Sequence, residues 1–417
     1  MAGPSPLFGS GTARGGTGLV VQTLRAHPRI ELAMEPFLMV FKHYRLAVHE
    51  KVSFGGPHRV PALSEPIRSL YFDAEDLTYW PHVVDAPVDA PILPVQLESL
   101  REGIRGRAAY DAADLVPFAQ EVEGRTFAEL LKSSLGMIQR ARGRADLGWC
   151  GFLENWCVEF FPFLAQTFPT SKFFLVIRDP RAVLASALFA PPELRSTLLS
   201  YLRSIRKMFD MALHFSGDPR FQGRMCLLKY EALVANPDRL AAELCTFLGE
   251  DYDPRMIDPA YHVVPGSSEL RDGVSSFETR ATGYDIKRAS RWKSVLEPEI
   301  VDVINACMAP ELELFGYTQP GEASPLTSSV IARALAATRL EEIVPKWSTD
   351  MSSLAADYGA ELLRAQWASM PAAAGVLNDR VLHECFLSAR VADIVRASAR
   401  GEDVLPAWRT FDHLIEL

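Results

Sequence analysis

Long apolar runs, paired cysteines and an excess of positive charge are all missing from this sequence. No uninterrupted apolar run approaches the ~20 residues that a helix needs to cross a bilayer. The first residues also lack a basic region followed by an apolar stretch. We therefore expect no membrane span, no secretory signal and a cytoplasmic protein.

Metal-binding and nucleic-acid-binding patterns are absent as well. The six cysteines are scattered without a C-x-x-C pair, and no H-E-x-x-H occurs. We predict buried free thiols and no metal site. The formal net charge of -9 gives no general field that would hold nucleic acid or an anionic membrane. Any anion must therefore be bound by a local site.

Short apolar segments alternate with helical ones through the first three quarters of the chain. Strand candidates lie at 6–8, 149–153, 173–177 and 225–228, and a further strand should end just before Glu35. The run F-F-L-V-I at 173–177 is typical of a parallel strand buried on both faces. The pattern predicts an α/β fold with a central, mostly parallel sheet.

The domain organisation follows from composition. Residues 1–320 should form the main domain, with an insertion at about 36–148 that shapes a cleft and contains helices near 94–105 and 126–142. A linker at 321–325 leads to an all-helical C-terminal extension at 326–417. This extension either caps the cleft or makes a homodimer contact. On the helix after Pro192, we expect a solvated basic face made by Arg203, Arg206 and Lys207.

A glycine-rich loop, G-T-A-R-G-G-T-G-L at 11–19, follows the first strand and precedes a helix. Such a turn presents backbone N–H groups and the positive end of a helix dipole, which together bind anions. Arg14 adds a fixed positive charge. A tight turn without a ligand is the alternative. The G-K-[ST] of nucleotide triphosphate loops is absent.

A second candidate anion site is K-F-F-L-V-I-R-D-P-R-A-V-L-A-S at 172–186. Arg178 ends the buried strand, and Asp179-Pro180 is a typical helix start. Ser186 follows two turns along that helix. An arginine at the strand end and this hydroxyl can converge on one phosphate.

Both segments resemble the PAPS-dependent sulfotransferase family, the first its 5'-phosphosulfate loop and the second its 3'-phosphate segment. The stretch 227–249, which begins L-L-K-Y-E, is similar to the next family landmark. R-W-K and the later E-L-F-G-Y at 313–317 resemble the closing segment. The resemblance spans roughly residues 5–318. It implies a P-loop-like three-layer fold, PAPS as sulfate donor and PAP as product.

The resemblance also implies roles for individual residues. Arg14 would contact the 5'-phosphosulfate and the bridging oxygen, while Arg178 and Ser186 would hold the 3'-phosphate. Tyr230 would lie near the adenine, and Arg271 is a lesser candidate. The remaining nucleotide-binding candidates are the loop residues Gly15, Gly16, Thr17 and Gly18 and the basic segment Arg291, Trp292 and Lys293.

The acceptor hydroxyl needs a base, and the family implies Glu35, at the end of the second strand. His43 and Glu154 are reserve bases. The sequence departs from the family pattern in three places: Gly15 and Gly18 replace residues with hydroxyls, and Glu154 lies near the position of a usual lysine.

The resemblance therefore implies a sulfotransferase that moves a sulfuryl group from PAPS to an acceptor hydroxyl, and we expect that acceptor to be a small molecule or lipid. A P-loop nucleotide kinase and a non-catalytic PAP-binding scaffold protein are the alternatives.

Overall fold

The computed structural model describes residues 3–52, 63, 79–144, 146–188, 198–262, 283–319, 322, 325–336, 359, 361–368, 385–400 and 402. At its centre is one sheet with five parallel strands: Ser5–Gly11 (β1), Ile30–Met34 (β2), Trp149–Asn155 (β3), Lys172–Ile177 (β4) and Met225–Lys229 (β5). The strand order is β2-β3-β1-β4-β5. After β3 the chain crosses to the far side of β1. The carboxyl end of β1 therefore lies at the topological switch point, where parallel sheets bind ligands.

The apolar strands are buried on both faces, as their sequence predicts. Along β4, Phe173 and Leu175 belong to one apolar cluster, whereas Phe174 and Val176 belong to another. Successive side chains alternate between the faces of a strand, so a strand covered on both sides must be apolar at every position. All six cysteines are buried free thiols, which confirms that prediction.

Helices cover the sheet. They are Thr17–Ala26 (α1), Leu38–Val52 (α2), Pro94–Asp111 (α3), Phe127–Arg142 (α4), Phe161–Thr167 (α5), Pro180–Ala187 (α6), Leu198–Phe215 (α7), Tyr230–Ala235 (α8), Pro237–Leu248 (α9), Lys287–Ser290 (α10), Trp292–Val295 (α11), Pro298–Cys307 (α12) and Ala309–Leu314 (α13). Asp179 caps α6, and its carboxylate accepts the Arg181 N–H at 2.9 Å. Gly249 ends α9 with a left-handed φ of 76°. Both termini were predicted from the sequence.

Helices α2, α3 and α4 form most of the described part of the insertion. Helices α3 and α4 confirm the two predicted near 94–105 and 126–142, whereas α2 was not predicted. Its buried side chains Phe41, Tyr44 and Val48 follow the helical period and join the main apolar cluster. Helix α2 packs against α3, and α4 packs against β2 and β3. These contacts bring α3 close to the carboxyl end of β2.

The described parts of the C-terminal extension are helical, as predicted. They are Ser328–Ala336 (α14), the helical residues 361–368 and Ala389–Ala399 (α15). Helix α14 packs against α12, while α15 packs against α7 and α13. Val330, Phe386 and Val391 belong to the same apolar cluster as Phe8 of β1. Across the described ranges, no helix combines the length and hydropathy needed to span a bilayer.

Two buried ion pairs join this extension to the rest of the fold. Arg206 on α7 donates from Nη2 to Glu361 Oε1 at 2.9 Å. Arg364 pairs with Glu311 on α13. The four side chains are at most 3% exposed, so water does not weaken the attraction between them.

The basic residues on α7 do not form the solvated face that the sequence predicts. Arg206 and Lys207 are 1% and 0% exposed. The prediction was wrong because the extension covers α7 and supplies Glu361. On the other side, Glu159 pairs with Lys207, with Nζ to Oε2 at 3.2 Å. Glu361 is 155 residues from Arg206 along the chain, and Glu159 is 48 residues from Lys207.

Glu361→Ala should lower the free energy of unfolding by about 3–5 kcal/mol, because it leaves Arg206 buried without this carboxylate. Chemical denaturation followed by circular dichroism measures the change. Glu243→Ala, which breaks the exposed Arg239–Glu243 pair on α9, is the matched control and should leave the midpoint nearly unchanged. Equal, small losses in both variants would contradict a stabilising role for the buried pair.

The difference in the free energy of unfolding between the native protein and Glu361→Ala should depend on pH. Burial raises the pKa of Glu361, but Arg206, Arg203 and Arg364 outweigh that effect and lower it from 4.5 to about 2. The folded state therefore binds this proton less tightly than the unfolded state. Its contribution to stability is complete above pH 4.5 and is lost as the pH falls towards 2. The difference between the native protein and Glu361→Ala should shrink over that range.

Candidate functional site

The glycine-rich loop joins β1 to α1 at the carboxyl edge of the sheet. The Gly15 N–H donates to the Thr12 carbonyl at 2.9 Å and closes a tight turn. Arg14 and Gly16 have left-handed backbones, with φ of 69° and 91°. Left-handed residues in a short turn let successive N–H groups face one concavity. Helix α1 then begins at Thr17 without a side-chain cap, an arrangement that suits an anion at its positive end.

Gly16 allows the loop to approach β5 closely. A Cβ atom at Gly16 would lie 2.2 Å from Cδ2 of Tyr230, the first residue of α8. The Arg178 guanidinium lies over that ring, 4.2 Å from its centroid. Tyr230 is only 5% exposed and contacts both the loop and Arg178. Its predicted place near an adenine stays a prediction.

The two predicted anion-binding segments converge. Arg178 donates from Nη1 to the Arg14 carbonyl at 2.9 Å, and from Nη2 to the Arg288 carbonyl at 2.8 Å. Arg14 in turn donates from Nη2 to the Ser186 carbonyl at 3.2 Å. The loop after β1 and the segment after β4 therefore make one site. Ser186 itself is partly exposed on α6.

Positive charge is concentrated at this junction. Burial lowers the pKa of Arg14; Tyr201 opposes this, and the nearby charges of Arg178 and Arg288 lower it further. Neighbouring positive charges repel each other, and an anion that lies between them offsets that repulsion. Arg288, which no sequence pattern indicated, joins the site through its position on α10.

The basic segment 291–293 lies beside the same site. Helices α10 and α11 pack against α6. Trp292 is partly buried, with the Arg181 guanidinium 4.2 Å from its ring centroid, while Lys293 is exposed. Arg291 lies between the two short helices and is partly exposed. The candidate Arg271 lies outside the described residues.

A cluster of carboxyl groups occupies the ends of β2 and β3. Glu35 follows β2, and its Oε2 accepts from Arg107 Nη2 at 2.7 Å. Its Oε1 accepts from the Asn155 side-chain amide. Glu154, directly before Asn155, accepts the Phe37 N–H. Burial raises the pKa of Glu35, and the Arg107 charge opposes that shift.

The carboxyl cluster and the glycine loop are neighbours. Asn155 pairs in register with Gly11, the last residue of β1. The next residue, Trp156, donates its N–H to the Gly11 carbonyl at 2.9 Å. Strand β3 lies between β2 and β1, so Asn155 binds Glu35 from one side and pairs with Gly11, at the start of the glycine loop, on the other. The candidate base and the glycine loop therefore lie at the same edge of the sheet.

The reserve bases are placed differently. Glu154 is 2% exposed and lies within the carboxyl cluster. His43 on α2 is 7% exposed, and burial lowers its pKa. Among the described residues its hydrogen-bond partner is Ser99 on α3, with Nε2 to Oγ at 3.5 Å. Glu35 is the better placed of the three.

Sequence reasoning missed Arg107 and Asn155. Arg107 lies in the insertion, 72 residues from its partner Glu35, and belongs to no recognisable motif. Asn155 ends a predicted strand, a position that could have indicated it. In the described part of the chain, no group of three or more His, Cys, Asp and Glu side chains is arranged to hold a metal ion.

Comparisons with known proteins place the chain in one family. The family model described as "Sulfotransferase family" matches residues 6–254. Carbohydrate sulfotransferase 3 of Mus musculus is 26% identical over 176 residues, 38% of this chain and 36% of that protein. The Homo sapiens protein of the same name is 25% identical over 177 residues, with the same shares. The match thus spans about a third of the length of these relatives.

Solved structures are also similar. The sulfotransferase domain of the Synechococcus PCC 7002 olefin synthase is 17% identical, with a TM-score of 0.43 over 77% of this chain and 98% of that domain. The sulfotransferase domain of the curacin biosynthetic pathway is 14% identical, with a TM-score of 0.40 over 74% of this chain and 99% of that domain.

Gly16→Ala should destabilise the protein more than Gly143→Ala. Both glycines have left-handed backbones, with φ of 91° and 61°, so each alanine meets a backbone penalty of about 1 kcal/mol. Only Gly16 also has a neighbour, the Tyr230 ring, that the new methyl group would overlap. Thermal unfolding of the two variants gives the comparison. Equal shifts in midpoint would mean that the loop and Tyr230 are not packed as described.

Proposed function

The chain belongs to the sulfotransferase family, and on that basis we propose that it moves a sulfuryl group from PAPS to an acceptor hydroxyl and releases PAP. The convergence of Arg14 and Arg178 on one junction is the observation that carries this proposal. Two anion-binding segments that meet across β1 and β4 suit a nucleotide with phosphates at both ends.

Unused polar atoms support a ligand at this junction. Among the described residues, the buried Nε of Arg178 and the buried Oγ1 of Thr12 have no hydrogen-bond partner. Buried donors and acceptors are nearly always paired in folded proteins, so such atoms need an explanation. The α1 N-terminus, which lacks a side-chain cap, adds further N–H groups. Arg178 would hold the 3'-phosphate, and the loop with Arg14 the phosphosulfate.

Catalysis would then combine positioning with charge neutralisation. PAPS supplies the sulfuryl group, whose bond to the phosphate oxygen breaks as the bond to the acceptor oxygen forms. Arg14 would stabilise the negative charge on the departing phosphate without giving up its own proton. Glu35 would take the proton of the acceptor hydroxyl. Asn155 and Arg107 keep that carboxylate facing the crevice.

The acceptor we propose is a small molecule or lipid with a free hydroxyl. The similarity to carbohydrate sulfotransferases adds saccharides to the acceptors worth testing. A cytoplasmic location and a homodimer stay predictions. A P-loop kinase is the less favoured function, because the loop ends G-G-T-G-L, without the lysine that would contact a γ-phosphate.

Incubation with ³⁵S-labelled PAPS and a fractionated pool of metabolites, lipids and saccharides should label one acceptor class. Glu35→Gln should lose at least about 100-fold in transfer, because the hydroxyl loses its base. The affinity for PAP, measured by calorimetry, should stay close to that of the native protein. Label transfer at the native rate by Glu35→Gln would remove Glu35 from the role. Tight PAP binding without transfer to any fraction would indicate the scaffold alternative.

Arg178→Lys should weaken PAP binding at least about tenfold, because lysine keeps the charge but loses the planar fork that bonds two carbonyls and stacks on Tyr230. Arg105→Lys, an exposed i,i+3 partner of Glu102 on α3, is the matched control and should bind PAP as the native protein does. Binding of Mg-ATP in preference to PAP by the native protein would favour the kinase reading instead.

A further inference from the structure

Two carboxyl groups, those of Glu35 and Glu154, share one crevice but have unequal partners. Glu35 forms an ion pair with Arg107 and accepts from the Asn155 amide. Glu154 accepts one backbone N–H, from Phe37. Within the described residues, the structure gives Glu154 no ion pair.

The remaining charges near Glu154 do not neutralise it. Glu35, Asp111 and the Cys157 thiol lie around it, and Arg107 is the described cation among them. Lys207, which approaches the same strand end from α7, already binds the Glu159 carboxylate and the Trp156 carbonyl. An ionised carboxylate that is 2% exposed and lacks an ion-pair partner would be strongly disfavoured.

Glu154 cannot easily move away from this position. Its backbone carbonyl accepts from the Ser10 hydroxyl at 2.8 Å, and β3 pairs with β1 and β2 on its two sides. Its side-chain carboxyl accepts the Phe37 N–H, and this hydrogen bond holds the chain directly after Glu35. Glu35 itself has a left-handed backbone, with φ of 51°. Such a conformation in a non-glycine residue persists only when its surroundings hold it.

We propose that Glu154 is a positioning residue that keeps its proton at neutral pH, while Arg107 keeps Glu35 ionised as the base. This assignment deepens the proposed function and depends on Glu35 acting as the base in it. The pair then carries one negative charge, on Glu35. When the acceptor hydroxyl gives its proton to Glu35, the pair becomes neutral and Glu154 keeps its own proton.

The directions of the pKa shifts agree with this geometry. Burial, and then the neighbouring Glu35 charge, raise the pKa of Glu154 well above its usual value. Burial also raises the pKa of Glu35, while Arg107 lowers it. A carboxylate with a raised pKa that is still ionised is a stronger base than an exposed one.

A titration of the two carboxyl groups tests the proposal without any substrate. The native protein, labelled with ¹³C at the δ carbon of glutamate, is titrated by NMR, and the signals are assigned by their loss in Glu35→Gln and Glu154→Gln. The Glu154 signal should keep its protonated chemical shift through neutral pH. A Glu154 signal that lies at the ionised chemical shift at neutral pH would overturn the proposal.

The pH profile of transfer tests which of the two carboxyl groups is charged. With the acceptor found by ³⁵S labelling, Arg107→Gln should move the acid limb of kcat/KM to higher pH by about one unit or more, because Glu35 loses its cation. Glu154→Gln replaces one neutral group by another and should leave that limb in place. A downward shift of the limb in Glu154→Gln would mean that Glu154 was ionised, and the proposal would be wrong.

The two levels of inference can fail separately. If no fraction accepts sulfate but the Glu154 signal stays protonated, the proposed function fails and the protonation state stands. If Glu154→Gln does not fold, Glu154→Asp, which keeps a carboxyl group but removes the glutamate δ carbon, assigns the signal, and the titration of the native protein still decides.

Discussion

The hydrogen bonds of Arg178 are the interaction on which the site depends. Arg178 leaves β4 and binds the Arg14 carbonyl in the loop after β1 and the Arg288 carbonyl on α10. Its guanidinium also stacks on Tyr230, which packs against Gly16. One buried side chain therefore joins four segments at the carboxyl edge of the sheet. Because the guanidinium of an arginine is charged, the side chain that links these segments also contributes positive potential to the site.

Backbone strain is concentrated at the same edge. Among the described residues, the non-glycine residues with left-handed backbones are Arg14, Glu35, Trp156 and Leu387. The first three follow β1, β2 and β3. Strained conformations persist where surrounding contacts determine them, and they cluster at functional sites. Here the contacts are those of Arg178 with Arg14 and of Lys207 with the Trp156 carbonyl.

Buried charges are paired at the contacts of α7 with its neighbours but are unequal within the site. Arg206 with Glu361 and Lys207 with Glu159 are matched pairs that fasten α7 to its neighbours. In the crevice, Glu35 and Glu154 face the single described cation Arg107. A matched pair adds rigidity, whereas an unmatched carboxyl holds its proton and changes the basicity of its neighbour.

The sequence by itself determined the parallel sheet, the glycine loop and the capped start of α6, because each depends on local patterns. Periodicity, capping residues and glycine turns act over a few positions and can be read directly. Only the tertiary structure decided that Arg107 pairs with Glu35, that Asn155 holds it, and that Lys207 is buried rather than solvated. These outcomes depend on contacts between residues far apart in the chain, and on which helices cover a surface, for which no local pattern exists.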